Sequence, residues 1–232
     1  MKNGVKNMAT WVAHIKVAER LLEKLKLDDE MFLAGNTGPD SGVPNEDHSA
    51  FTPGKKITHW LDETLDVEYQ TKINAENFFD QHIKNRKLEE KEKSFLIGYY
   101  THLLTDIEWS KMHAGIMKRD NEYYEKLKSD KNFIWTVKKD WYGLDYKYIK
   151  ENENCIFNRV YKNIKEIPDY LDYFPKDAFI NQKEAIVDYY TEKNESKFSK
   201  EFKYLTEDMM EQFIEGCSAN ILEILNKKGF IN

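Results

Sequence analysis

Apolar positions run most of the way round a helical wheel between Phe95 and His113, where Leu96, Ile97, Tyr100, Leu103, Leu104 and Ile107 leave little polar face. That pattern predicts a central, buried helix. Elsewhere the pattern is one-sided. From Trp11 to about Leu25, the residues Val12, Ile15, Ala18, Leu21, Leu22 and Leu25 recur three and four apart, and Thr10 is placed to cap the helix. Met209, Phe213, Cys217, Ile221 and Leu225 step by four and give the stripe of a last helix predicted over 198–227. Residues 60–92 also read as helical, with Leu61, Leu65, Tyr69 and Ile73 at four-residue steps followed by Phe78, Phe79 and Ile83. Further helices are predicted at about 118–130, 133–150, 152–165 and 177–192. The expected architecture is all-α: one multi-helix domain over residues 1–232, built around the central helix.

One stretch breaks the helical pattern. Gly35 to Pro53, GNTGPDSGVPNEDHSAFTP, crowds Gly and Pro together and has no period of 3.6. It predicts a long loop, and long loops in compact domains are usually functional or disordered. It carries Asp40, Asp47 and His48. A plain surface loop with Asx-turns at Asn36, Asp40 and Asn45 is the competing reading. The chain leaves this loop at Ile57-Thr58-His59-Trp60, with a histidine among apolar neighbours.

Composition narrows the function classes. The chain is 41% hydrophobic and 33% charged, which fits a globular protein with a sizeable core. A net charge of −6 leaves no basic footprint, so nucleic acid is not expected as a partner. Cys155 and Cys217 are isolated and make no metal-ligand pair. No stretch approaches the ~20 apolar residues of a membrane span, and the first residues lack an apolar signal core. The expectation is a cytoplasmic protein with no transmembrane segment.

The candidate chemistry lies inside the central helix. His102 and Asp106 are four residues apart, which puts both side chains on one stripe, one turn apart. A carboxylate is rarely buried without a positive partner. A metal ion is the simplest one, because imidazole and carboxylate can point at one cation. A core histidine satisfied by an aspartate is the bland alternative. His14, His48, His59 and His113 also fall in the first half. His14, beside the stripe of the first helix, reads alone as structural, and His82, among polar neighbours, as exposed. His113 shares a helical face with His102, but the rise between them is about 16 Å, too far for one shared ion. No GxSxG, P-loop, GxGxxG or HExxH motif is present.

Taken together, His14 in the first helix, GNTGPD ending at Asp40, Thr58-His59-Trp60, and GYYTHLLTD with His102 and Asp106, then Trp109, resemble the bacterial zinc-dependent phospholipase C family, in particular its shorter, non-secreted relatives. The likeness runs from the N-terminus to about residue 113. It implies an all-α fold with a metal cluster in a cleft. By that resemblance Asp40, His59, His102 and Asp106 surround one ion, and His14 with a bridging Asp106 helps hold another. One or two Zn²⁺ ions are implied, with another divalent transition metal as the variant. Asp40 is also implied as general base.

Two departures qualify the likeness. In the secreted enzymes the amine of an N-terminal tryptophan binds a metal, whereas here ten residues precede Trp11. The His14 ion then needs another ligand, with His48 and Asp47 as candidates. A third ion in those enzymes uses a histidine matching roughly His113 and a later HxxxE pair, and no histidine follows His113 here. That ion is expected to be missing or held by carboxylates. The expected function is metal-dependent hydrolysis of phosphoric ester bonds, on a small phosphoester or phospholipid-like substrate, with a metal-activated water attacking phosphorus. Lys55 or Lys56 would bind the phosphate. The alternative is a non-catalytic helical protein with a structural metal or a partner-binding role.

Overall fold

The computed structural model describes residues 8–47, 49–191 and 201–231. Among them are ten α-helices and one two-stranded sheet, so the chain is all-α. In chain order the first elements are α1 (Trp11–Leu22), α2 (Asp29–Gly35), a 3-10 turn (Gly38–Asp40), β1 (Val43–Pro44), β2 (Phe51–Thr52), α3 (Lys55–Thr58) and α4 (Ala75–His82). They are followed by α5 (Glu90–Arg119), α6 (Asn121–Ser129), α7 (Phe133–Glu151), α8 (Ile156–Arg159), a 3-10 turn (Tyr161–Asn163), α9 (Ala178–Thr191) and α10 (Glu207–Lys227). The strands pair antiparallel, Val43 opposite Thr52 and Pro44 opposite Phe51.

The buried central helix is α5. It is buried continuously from Ser94 to Asp106 and packs against α1, α2, α4, α6 and α10. Burying each large apolar side chain along it is worth about 1.5–3 kcal/mol. Its closest partner is α2. A Cβ on Gly98 would come within 2.2 Å of the Phe32 carbonyl oxygen, and one on Gly35 within 2.0 Å of the Phe95 carbonyl oxygen. Two helices therefore meet backbone to backbone, which only glycine permits. This contact carries the chain after α2, including Asn36 and the Gly38–Asp40 turn, against the polar stripe of α5.

Three expected helices take other forms. Residues 60–92 are not one helix. After His59 the chain folds back, with Asn74 N–H donating to Trp60 O (2.9 Å) and Asp62 N–H to Lys72 O (2.8 Å). Asp62 accepts from both the backbone N–H and the hydroxyl of Thr64, a local bond that competes with helix formation. Before α5 begins at Glu90, only Ala75–His82 is helical there, capped by the Asn74 side chain. The stretch 152–165 splits into α8 and a 3-10 turn. The last helix starts at Glu207, where Thr206 caps the Met209 N–H, later than the expected 198; residues 192–200 lie outside the described chain. Helix α2 had no counterpart among the expected helices. His82 is half-buried rather than exposed, packed against Trp60 and Phe78.

Candidate metal centre

Four elements deliver the site. α1 starts at Thr10, whose hydroxyl oxygen accepts the Ala13 N–H, and one turn on it presents His14. The 3-10 turn after α2, with Pro39 fixing its start, presents Asp40. His59 closes the short helix α3. α5 supplies His102 and Asp106. The structure brings together all five side chains that the sequence put forward.

Asp106 is the hub. Its Oδ1 lies 3.4 Å from His14 Nε2, and its Oδ2 lies 3.3 Å from His102 Nε2 and 3.7 Å from His59 Nε2. His59 Nε2 is also 3.5 Å from Asp40 Oδ1. The side chains of His14, His59, His102 and Asp106 are completely buried. Such burial normally demands hydrogen bonds. Yet both nitrogens of His14, Nε2 of His59 and of His102, and Oδ2 of Asp106 have no hydrogen-bond partner. Two groups of metal-ligating atoms converge within 4.8 Å: His14, His102 and Asp106, and Asp40, His59 and His102.

The outer faces of the rings explain their aim. The Asn36 carbonyl lies 2.8 Å from His102 Nδ1. A carbonyl only accepts, so Nδ1 carries the proton and the lone pair of a neutral His102 sits on Nε2, facing Asp106. Two lone pairs at that distance repel unless a cation lies between them. A single proton would satisfy only one of the four converging contacts. Separations of 3.3–3.7 Å are long for charge-assisted hydrogen bonds, which close to about 2.8 Å. They match the ~3.4 Å ligand-to-ligand edge of a tetrahedron with zinc bonds of ~2.1 Å. The His59 ring is held on its outer side too, with Nδ1 2.8 Å from the Thr58 hydroxyl Oγ1. The donor set suits zinc.

Charges follow the geometry. Burial works against an ionised Asp106, but His102 and His14 outweigh it and hold the carboxyl far below its usual range. Burial and the neighbouring His102 push His14 down to about 4, whereas Asp106 raises His102 in spite of burial. Burial also lowers His59. Desolvation works against an ionised Asp40 too, yet Lys55 and His59 keep it well below the ordinary carboxylate range. Its Oδ2 accepts the Trp11 indole N–H at 2.9 Å, and its Oδ1 faces Lys55 Nζ at 3.2 Å. The cluster meets solvent along this edge, where Asp40 is 14% and Lys55 39% exposed.

The family model for zinc dependent phospholipase C matches residues 13–223. The chain belongs to the zinc-dependent phospholipase C family. No curated protein and no solved structure matches it. Membership and the buried His/Asp groups support a metal-dependent, phospholipase-type hydrolase. No described helix is long and apolar enough to cross a membrane.

Against the family likeness, two side chains stand apart. His113 is packed between the rings of Trp109 and Trp141, 5.5 and 4.8 Å from their centroids, and joins neither converging group. Burial pushes it down to about 3, helped by Lys138. Asp47 is exposed in the hairpin turn, where it accepts the Ser49 N–H, and joins neither group; His48 lies outside the described residues. The backbone nitrogen bonded to Asp106 belongs to Ala9, whose N–H donates to Oδ1 at 2.9 Å. A peptide nitrogen at neutral pH is a donor and no metal ligand, so here it satisfies the carboxylate.

Sequence reasoning missed the partners that aim the site. Asn36 acts through its carbonyl, which leaves no side-chain signal. Trp11 read as a helix start and as the counterpart of a family tryptophan, and its indole bond to Asp40 was not foreseen. Asp145 was overlooked, although a signal existed: with Asp140 it interrupts the buried face of α7 formed by Val137, Trp141 and Leu144.

Proposed function

We propose that this chain is a zinc-dependent hydrolase of phosphoric ester bonds acting on a small phosphoester or phospholipid-like substrate. His14, His59, His102, Asp106 and Asp40 would hold one or two ions. The observation that carries the reading is the set of unpartnered buried atoms, His14 Nε2, His59 Nε2, His102 Nε2 and Asp106 Oδ2, converging from three elements. A bound zinc lowers the pKa of a coordinated water towards ~7 and takes up charge on a phosphoryl oxygen.

The protein's own groups do the rest. Asn36 and Thr58 hold the His102 and His59 rings from behind, so that Nε2 stays aimed inward. Trp11 occupies Asp40 Oδ2 and leaves Oδ1 as the oxygen that ligates or accepts the proton of the attacking water. Lys55, the exposed cation beside that oxygen, is placed to bind a phosphoryl oxygen; Lys56 has no bond into the site among those described. A structural metal is the second reading, favoured by the complete burial of His14, His59, His102 and Asp106, since structural zinc sites are closed.

The test is turnover by the zinc-loaded chain across phosphodiesters and phosphomonoesters, beside Asp40→Ala. Hydrolysis that Asp40→Ala abolishes with the fold intact is the expected result. Turnover of the best substrate that survives the substitution would remove Asp40 from the mechanism, and no turnover of any phosphoester by the loaded chain would leave the structural reading.

A further inference from the structure

Three consecutive residues at the start of α1 each bond a different carboxylate. Ala9 N–H donates to Asp106 Oδ1, the Thr10 hydroxyl to Asp145 Oδ1, and the Trp11 indole N–H to Asp40 Oδ2, all at 2.9 Å. The outer two carboxylates belong to the converging metal-ligating groups. The middle one does not.

Asp145 is 1% exposed, on the inward face of α7. Its second oxygen accepts the hydroxyl of Tyr190 on α9 at 2.6 Å. No cation touches it among the described bonds, and burial pushes its carboxyl up to about 7 against the pull of Tyr190, Thr10 and Lys16. A buried carboxyl of this kind is costly to keep. A hydrophobic residue on that helical face would serve packing better, so its bonds need a reason. Thr10 supplies one. Its single hydroxyl proton is committed to Asp145, while its oxygen caps α1 through the Ala13 N–H and its carbonyl accepts the His14 N–H at 3.1 Å. Fixing Thr10 therefore fixes Ala9 and Trp11 on either side of it and the turn that ends at His14.

We propose that Asp145 is a positioning residue of the metal centre: by clamping Thr10 it sets the hydrogen bonds that orient Asp106 and Asp40 and the turn that presents His14. The inference rests on the metal reading above. Asp145 itself touches neither ion nor substrate. The second half of the chain, through α7 and α9, thereby tunes a site whose ligands all come from the first half. Residues that orient ligands from behind typically change metal affinity about 10–100-fold when replaced.

The test measures zinc dissociation constants by chelator competition, and the visible absorption of the cobalt(II)-loaded chain, for wild type, Asp145→Leu, Thr10→Val, Thr10→Ser and the Asp145→Leu/Thr10→Val double variant. Apo circular dichroism separates loss of fold from loss of affinity. The expected result is zinc binding weakened about tenfold or more in Asp145→Leu, which has no acceptor for Thr10, and in Thr10→Val, with an altered cobalt band. Thr10→Ser keeps the hydroxyl and wild-type affinity. The double variant is no weaker than the worse single one, because both act through one bond. If Asp145→Leu does not fold, Thr10→Val and Thr10→Ser make the same comparison. Wild-type affinity and spectrum in the folded variants would overturn this inference alone, as would a double variant that loses the product of both factors. A wild-type chain that takes up neither metal would overturn the metal reading and this inference with it.

Discussion

The imidazoles of His14 and His102 lie face to face, with ring centroids 3.7 Å apart and planes 3° from parallel. One comes from α1 and the other from α5, and their Nε2 atoms address the two oxygens of one carboxylate, Asp106. Two stacked imidazolium ions would repel strongly at that spacing. The surroundings resolve this by driving the pair apart, His14 down to about 4 and His102 upward. Cations held by these residues would resolve it further, since they would let both rings stay neutral and use their lone pairs. The stack is a consequence of folding two ligand-bearing helices onto one acidic hub.

Asp40 is predicted to separate chemistry from folding. Asp40→Asn keeps an oxygen for the Trp11 indole but loses the negative charge and basicity of Oδ1. Phosphoester turnover should fall by about 100-fold or more, while the apo circular dichroism spectrum is unchanged. Activity within a few fold of wild type would exclude Asp40 as the group that takes the proton.

Lys55 should show itself in substrate binding. Lys55→Gln is expected to raise KM for phosphate-bearing substrates more than it lowers kcat. Its pair with Asp40 is partly exposed, so stability should change by less than about 1 kcal/mol. An unchanged KM would exclude a role in holding phosphate.

Two glycine substitutions should act in opposite directions. In an open helix Gly→Ala is stabilising by about 0.5–1 kcal/mol. A methyl group added at Gly216 on α10 would meet nothing within 4 Å, so Gly216→Ala follows that rule. One added at Gly98 would lie 2.2 Å from the Phe32 carbonyl oxygen, so Gly98→Ala must push α2 away from α5 at a cost of about 2–3 kcal/mol. It should also weaken metal binding, because α2 leads to Asn36 and Asp40. Urea denaturation of the two variants reads both signs. Stabilisation by Gly98→Ala would contradict the backbone contact.

His113 makes a pH prediction for the apo protein. Burial holds it down to about 3, while in the unfolded chain it titrates near the ordinary ~6.5. Below that value the unfolded state binds a proton that the folded state refuses. The stability contribution is therefore complete above about 6.5 and is lost as pH falls towards 3. Between pH 7 and pH 5 it amounts to about 2 kcal/mol. The drop in unfolding free energy over that interval should be smaller by this amount in His113→Phe than in wild type. Equal drops would mean that His113 is protonated in the folded protein.

Helix α5 was legible because its apolar residues ran round the whole wheel while His102 and Asp106 shared one stripe. The same logic failed over 60–92. Leu61, Leu65, Tyr69 and Ile73 kept a four-residue step by coincidence, and the local bonds of Asp62 and the fold-back from Trp60 to Asn74 overrode it. His102 and Asp106 could be named from residue type and spacing, and His14, Asp40 and His59 joined them through the family resemblance. What aims them could not, because the Asn36 carbonyl acts through the backbone and the Gly35–Gly98 contact is a tertiary approach of two helices. Asp145 lies between these cases. Its place on an apolar face was visible, but its partner Thr10 is 135 residues away.

The most direct test of the metal centre is metal content per chain by mass spectrometry, on untagged protein purified without chelator, for wild type and His102→Ala. His102 belongs to both converging groups, so one substitution reaches every ion they could hold. The account predicts one or two equivalents of zinc or a similar transition metal in wild type, and marked loss in a folded His102→Ala. Wild-type protein that holds no stoichiometric metal, even after reconstitution with zinc, manganese and iron, would contradict it.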